Sequence, residues 1–179
     1  MALLAADGVA GFTTRRVAQA AETSIPAVYE LFGDRAGLVR EVYLAGFRQL
    51  RSRLDALEVS ADVRTDLTDA VMALRAFVRD NPALADVMFT RPFADYSPGP
   101  DEMRATAPVR ELFVGRVRRC IDVGVLAGEP NDIAHVLLAL ALGLAAQETA
   151  GWLGSSRSSR DRRWALAIQA ALAGLGSAS

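Results

Sequence analysis

The chain has 179 residues, 51% hydrophobic and 23% charged, a balance that fits a folded globular protein and excludes a disordered polar chain. Its 20 basic residues are all arginine and face 21 acids, so the net charge of −1 excludes a polycation that coats nucleic acid along its whole surface. One cysteine (Cys120) and one histidine (His135) exclude an internal disulfide and a zinc site of the usual Cys/His kind, so no metal or other cofactor is expected.

The sequence reads as all-α, with no alternating strand pattern between hairpin turns. Breaks at Gly8–Gly11, Glu22–Ser24, Gly33–Asp34, Val59–Asp62, Asn81–Pro82, Arg91–Pro100, Gly128–Pro130 and Gly154–Ser159 divide it into about nine helices. No basic region followed by a cleavage site opens the chain, and the single cysteine suits a reducing compartment; a cytoplasmic location is expected. Met1–Asp7 makes under two turns, too few to bury a helix face well, so an incomplete N-terminus is expected.

Thr13 is placed to cap a second helix over Thr14–Ala21, with Phe12 and Val17 spaced for a hydrophobic staple across its start. After the turn Glu22–Thr23, Ser24 caps a third helix over Ile25–Leu31, where Pro26 sits in the first turn and its missing N–H costs nothing. Gly33 ends that helix, and Asp34 caps a long fourth helix from Arg35. Two short helices joined by a tight turn and followed by a long one is the helix-turn-helix plan, in which the second short helix enters the major groove. A plain helical hairpin has the same outline, and the pattern alone serves both readings.

The segment TTRRVAQAAETSIPAVYELFGDRAGL (Thr13–Leu38) resembles the DNA-binding domain of TetR-family transcriptional regulators. The pieces that carry the likeness are TxRRVA in the second helix, SxPAVY in the third and FGDRAGL after it. The resemblance implies a three-helix head over residues 1–45 and a helical effector-binding and dimerisation domain over residues 46–179. It implies backbone contacts from Thr13, Arg15 and Arg16, base reading by Ser24, Ile25, Pro26 and Ala27, and phosphate contacts from Tyr29 and Arg35. Glu30 stands on the same helix and adds a negative charge. Val28 and Phe32 match core positions. Three residues depart from the family pattern: Ile25 replaces a common lysine, Leu31 a common histidine, and Glu22 the usual glycine between the second and third helices. If that turn is left-handed, a glutamate there costs roughly 1 kcal/mol. Ile25 either meets a thymine methyl or packs under the first helix.

The charge division agrees with a DNA-binding front. Residues 1–53 carry seven arginines and five acids, and the remainder thirteen arginines and sixteen acids.

In the remainder, the fourth helix continues through Phe47, Leu50, Leu54 and Leu57, and the fifth spans Asp62–Asp80. Pro82–Phe89 is a short helix, Arg91–Pro100 a loop, and the next helix reaches Ala127, broken or kinked at Pro108. The eighth, Asn131–Leu153, is apolar all round from Ile133 to Ala146 except at His135. Its longest uninterrupted apolar run, Val136–Ala146, is too short to span a bilayer, so no membrane partner is expected. A second subunit is the expected cover. The ninth helix, from Ser158, carries a stripe of Trp164, Ile168, Ala171, Leu172 and Leu175. With Val136, Leu140 and Leu144 these form the predicted dimer interface. Two heads about 34–36 Å apart reach successive major grooves of a pseudo-palindrome.

By the family's plan, an apolar effector pocket is expected among Phe77, Met88, Phe89, Phe93, Met103, Phe113, Leu138 and Leu142. His135 is expected as a hydrogen-bonded interface residue and Cys120 as a small core residue. No Ser-His-Asp order, carboxylate pair or phosphate loop stands out, and the lone histidine removes the easiest general base, so no enzyme and no catalytic residue is expected. The function expected is a repressor released from double-stranded operator DNA by a small hydrophobic effector. A helical lipid- or acyl-binding module without DNA function is the alternative; it leaves the Thr13–Leu38 signature unexplained.

Overall fold

The computed structural model describes residues 2–176, which form nine helices and no strand. They are α1 (Ala2–Gly11), α2 (Thr14–Ala20), α3 (Ile25–Phe32), α4 (Arg35–Asp55), α5 (Val63–Asp80), α6 (Pro82–Phe89), α7 (Pro100–Asp122), α8 (Pro130–Thr149) and α9 (Arg157–Gly174). Met1, on which part of the short-first-helix expectation falls, lies outside the described residues. Gly8 interrupts the dihedrals of α1 at φ 65°, within the break expected at Gly8–Gly11.

The chain divides into two compact units. The first joins the residues up to Arg51 with Asp80–Ala107; the second joins Ser52–Arg79 with Pro108 onward. This differs from the linear division expected near residue 45, because α6 and the start of α7 fold with the head. The local reason is a close approach. A Cβ on Gly46 of α4 would lie 2.5 Å from Met88 Sδ and 3.0 Å from Leu84 Cδ1, so the glycine lets α6 approach there without displacing those side chains. In the first unit Leu4, Phe12, Ala18, Val28, Leu38, Val39, Tyr43 and Leu50 are buried, together with Leu84, Val87 and Met88 of α6.

In the second unit the core is built from Leu67, Val71, Leu74 and Phe77 of α5, Phe113 and Val117 of α7, Ile133, Leu137 and Ala141 of α8, and Trp164, Ile168 and Leu172 of α9. Charged groups are buried in it as partnered sets. Arg75, 6% exposed at its side chain, donates two hydrogen bonds of 2.8 Å to Glu148 and pairs with Asp161 at 2.7 Å. Its guanidinium also lies 5.0 Å from the centre of the Trp164 ring, whose indole N–H donates to Glu148 at 2.7 Å. Asp66, 2% exposed, accepts from Arg119 at 2.5 Å and lies 3.5 Å from Arg116. The Arg75 set is tolerated in the core because its carboxylates and guanidinium are hydrogen-bonded, whereas Arg116 Nε, 3.5 Å from Asp66, makes an ion pair without a hydrogen bond.

Two expected boundaries shift. Helix α7 runs unbroken through Pro108 and stops at Asp122, short of Ala127. Helix α8 stops at Thr149, four residues before Leu153, and the glycines at 151 and 154 turn the chain with φ 79° and 121°.

Candidate nucleic-acid interface

Local capping builds the helix-turn-helix. Thr13 Oγ1 accepts from Arg16 N at 3.3 Å at the start of α2, and Ser24 Oγ from Ala27 N at 3.2 Å at the start of α3. Between them Glu22 sits at φ 50°, the left-handed conformation that the family's glycine serves, so here a glutamate carries the strain. Gly33 at φ 77° closes α3, and Asp34 Oδ1 then accepts from Gly37 N at 2.7 Å to open α4.

One face of α3 is core and the other is open. Val28 is 3% exposed and holds the helix down; Phe32 is half-buried. Ser24, Ile25, Pro26, Tyr29 and Glu30 are exposed, and Ala27 is half-buried. Ile25 is 40% exposed. Thr13, Arg15 and Arg16 are exposed at the start of α2, and Arg16 pairs with Asp7 of α1. Arg35 is also engaged within the chain: its Nη1 donates to Asp95 Oδ2 at 2.6 Å, and its guanidinium lies 5.1 Å from the centre of the Phe93 ring. In the sequence Asp95 is simply part of the Arg91–Pro100 loop. No local signal ties it to Arg35, sixty residues earlier.

The predicted effector residues fall in both units. Met88, Phe89, Phe93 and Met103 belong to the first unit, and Phe77, Phe113, Leu138 and Leu142 to the second. Met103 is 49% exposed, and Phe77 and Phe113 are sealed at 1% and 0%. Phe93 packs 6.1 Å from Phe12 and under Arg35, and Met88 covers Gly46. None of the eight lines the described cavities. The cavity of about 440 Å³ in the first unit runs along α1, α2 and α4, past Phe12, Val17, Leu38 and Val42. The one of about 430 Å³ in the second unit lies between α5 and α9, past Thr68, Met72, Ala165 and Gln169. The apolar aromatics were drawn into packing because burying them inside their own unit removes the most surface from water.

The residues of the predicted dimer face differ in exposure. Trp164, Ile168 and Leu172 are enclosed by their own unit and offer a partner almost no surface. Ala171 and Leu175 are half-buried, and the Leu175 carbonyl accepts from Ala127 N at 2.9 Å. Val136 is 52% exposed, with Leu140 and Leu144 half-buried beside it. Leu166, 66% exposed on the opposite side of α9 from Trp164, was missed, because a single leucine among alanines makes no stripe. By length and composition α8 is apolar enough to cross a membrane, yet Ile133, Ala134, Leu137, Ala141 and Ala145 pack into the second unit. His135 is exposed, its Nδ1 2.7 Å from the Asn131 carbonyl; Cys120 is buried and its thiol donates to the Val63 carbonyl at 3.3 Å. Among the described residues no cluster of metal-ligating side chains occurs.

Similarity to known proteins fits this geometry. The family model of bacterial regulatory proteins of the tetR family matches residues 1–42, and that of the tetracyclin repressor-like C-terminal domain matches residues 67–171. No curated protein sequence matches the chain. Among solved structures, a protein of unknown function from Rhodococcus sp. RHA1 superposes with a TM-score of 0.83 at 24% identity, over 98% of this chain and 91% of that one. The TetR family transcriptional regulator PfmR from Thermus thermophilus gives 0.71 at 18% identity, over 99% and 96%. A single-residue variant of TetR from Acinetobacter baumannii AYE, in complex with minocycline, gives 0.67 at 16% identity, over 97% and 89%. With the capped helix-turn-helix, the exposed face of α3 and both domain matches in place, the chain belongs to the TetR family and is a DNA-binding transcriptional regulator.

Proposed function

We propose that the protein is a homodimeric repressor that leaves a pseudo-palindromic operator when a small apolar effector binds. The observation that carries the DNA side is the face of α3, with Ile25 and Tyr29 40% and 43% exposed above a buried Val28. A helix held from beneath, with aromatic and apolar groups outward, suits base edges and thymine methyls in the major groove. Tyr29 and the arginines at positions 15, 16 and 35 supply backbone contacts, which position the head without reading sequence.

Dimerisation is supported by the apolar surface that one chain leaves uncovered. The most apolar 18-residue stretch of α8 has a mean hydropathy of 1.2, yet 28% of it is buried. Val136, Ala139 and Gly143 lie exposed along one face of α8, and Leu166, Ala170 and Ala173 along one face of α9. Small residues let two such helix pairs approach closely in a four-helix interface.

Release by an effector requires only that the effector bind the DNA-incompetent conformation more tightly, by linkage. The minocycline complex of the Acinetobacter baumannii neighbour is the precedent for a small-molecule ligand in this fold.

The test is an electrophoretic shift with duplexes selected from a random pool by the wild-type protein, at stated salt. The expected result is a retarded species of two chains per site, bound at least a hundredfold tighter than random DNA. Apolar compounds that raise the melting temperature should abolish it. Retardation no stronger than on random DNA overturns the reading.

A further inference from the structure

We propose that Asp95 lowers the DNA affinity of this regulator by sharing Arg35, so that the guanidinium meets the phosphate backbone with part of its charge already neutralised. The inference rests on the proposed phosphate role of Arg35.

Arg35 is the first residue of α4, directly after the turn that ends α3. Its charge is already met. Asp95 lies 2.6 Å away, and both side chains are 42% exposed, so a phosphate approaching Arg35 also approaches a carboxylate. The pair is built rather than incidental, because Asp95 stands between two anchored aromatics. Phe93, 5% exposed, packs on Phe12 and lies beneath the Arg35 guanidinium. Tyr96 stacks edge-on against Tyr43 with ring centres 5.8 Å apart, and its N–H donates to the Phe93 carbonyl at 3.3 Å. The far end of the loop is tied down by Glu102, which accepts from Gly99 N at 2.8 Å and pairs with Arg40. The loop thus carries a fixed negative charge to the one basic side chain in the first turn of α4.

Each phosphate neutralised by a free cation adds about 0.9 to the slope of log affinity against log salt on duplex DNA. An arginine already paired with a carboxylate gains little from releasing counterions, so the wild-type slope is shallow. Because Asp95 rides on the connection between α6 and α7, rearranging those helices makes or breaks the pair. The loop is therefore a point at which the state of the protein changes the charge of its head.

The experiment measures binding of the full chain to a fluorescein-labelled duplex selected from a random pool by the wild-type protein, from low to high salt. Asp95→Asn keeps the size and an acceptor but removes the charge. It should tighten binding three- to tenfold at low salt and steepen the slope by up to about 0.9 per head. Asp95→Ser should do the same. Arg35→Gln should weaken binding, and in that background Asp95→Asn should gain less affinity than it does in the wild type, since it relieves repulsion of the phosphate but frees no cation. A purely structural role for the loop would lower the melting temperature and leave the slope unchanged. The proposal is overturned if Asp95→Asn weakens binding or leaves affinity and slope unchanged while Arg35→Gln still weakens it. Wild-type binding with an indifferent Arg35→Gln overturns the proposal and the role of Arg35, but not the repressor reading. Absence of specific binding by the wild type overturns both.

Discussion

At the scale of single residues, the head works under strain it could shed. Glu22 holds a left-handed backbone at φ 50° in the turn between α2 and α3. Glu22→Gly should therefore stabilise the protein by about 1 kcal/mol in urea unfolding, less a few tenths for glycine's greater freedom when unfolded. Tyr29 is exposed and contributes little to the core, so Tyr29→Phe should leave the melting temperature within about a degree. The same change should weaken operator binding up to tenfold, by removing one hydroxyl–phosphate contact. Cys120 is the opposite case. Burial pushes its thiol upward and away from the reactive thiolate, so iodoacetamide should label it slowly in the native protein and rapidly in urea.

At the scale of helices, two kinds of surface on α8 and α9 do different work. The inward surface carries the Arg75–Glu148–Trp164 set. The Arg75 hydrogen bond, more than the opposing burial, holds the Glu148 carboxyl below its ordinary value of 4.5, and the Trp164 N–H helps. A depressed carboxyl stabilises the fold above its unfolded value and loses that contribution as pH falls through its folded value. Melting temperature should therefore fall with acid below about pH 4.5, and Glu148→Gln should show a smaller share of that fall. At pH 7 the same variant should cost roughly 2–3 kcal/mol, since Arg75 keeps Asp161 but loses a charged acceptor. The outward surface carries Val136 and Leu166. Val136→Asp with Leu166→Asp should convert a dimer to monomers in light scattering without unfolding it, because both side chains are exposed in the single chain.

At the scale of the whole molecule, the net charge of −1 is a poor guide to DNA binding, since three arginines of the head are paired with acids. Arg16 is paired with Asp7, Arg35 with Asp95 and Arg40 with Glu102. A head with three of its arginines paired internally should bind DNA with a modest salt slope, and this is checked by titrations at several salt concentrations. In the proposed dimer, helix N-termini and doubled contacts then supply what bare charge does not.

The sequence by itself determined the helices and the head. Thr13, Ser24, Gly33 and Asp34 act through hydrogen bonds and dihedrals that reach three or four residues, so caps, turn and exposed face were legible locally. The all-α class followed from periodicity, and the family likeness from a short contiguous motif. Only the tertiary structure decided which apolar side chains became core and which charges became pairs. Periodicity offers Trp164 to an interface, but Glu148 and Arg75 seal it; composition offers Met88 to a pocket, but it covers Gly46. Periodicity gives the direction of a side chain around its own helix but not the neighbour it meets. Asp95 meets Arg35 only when the chain brings residues sixty apart together, and that proximity is a property of the fold.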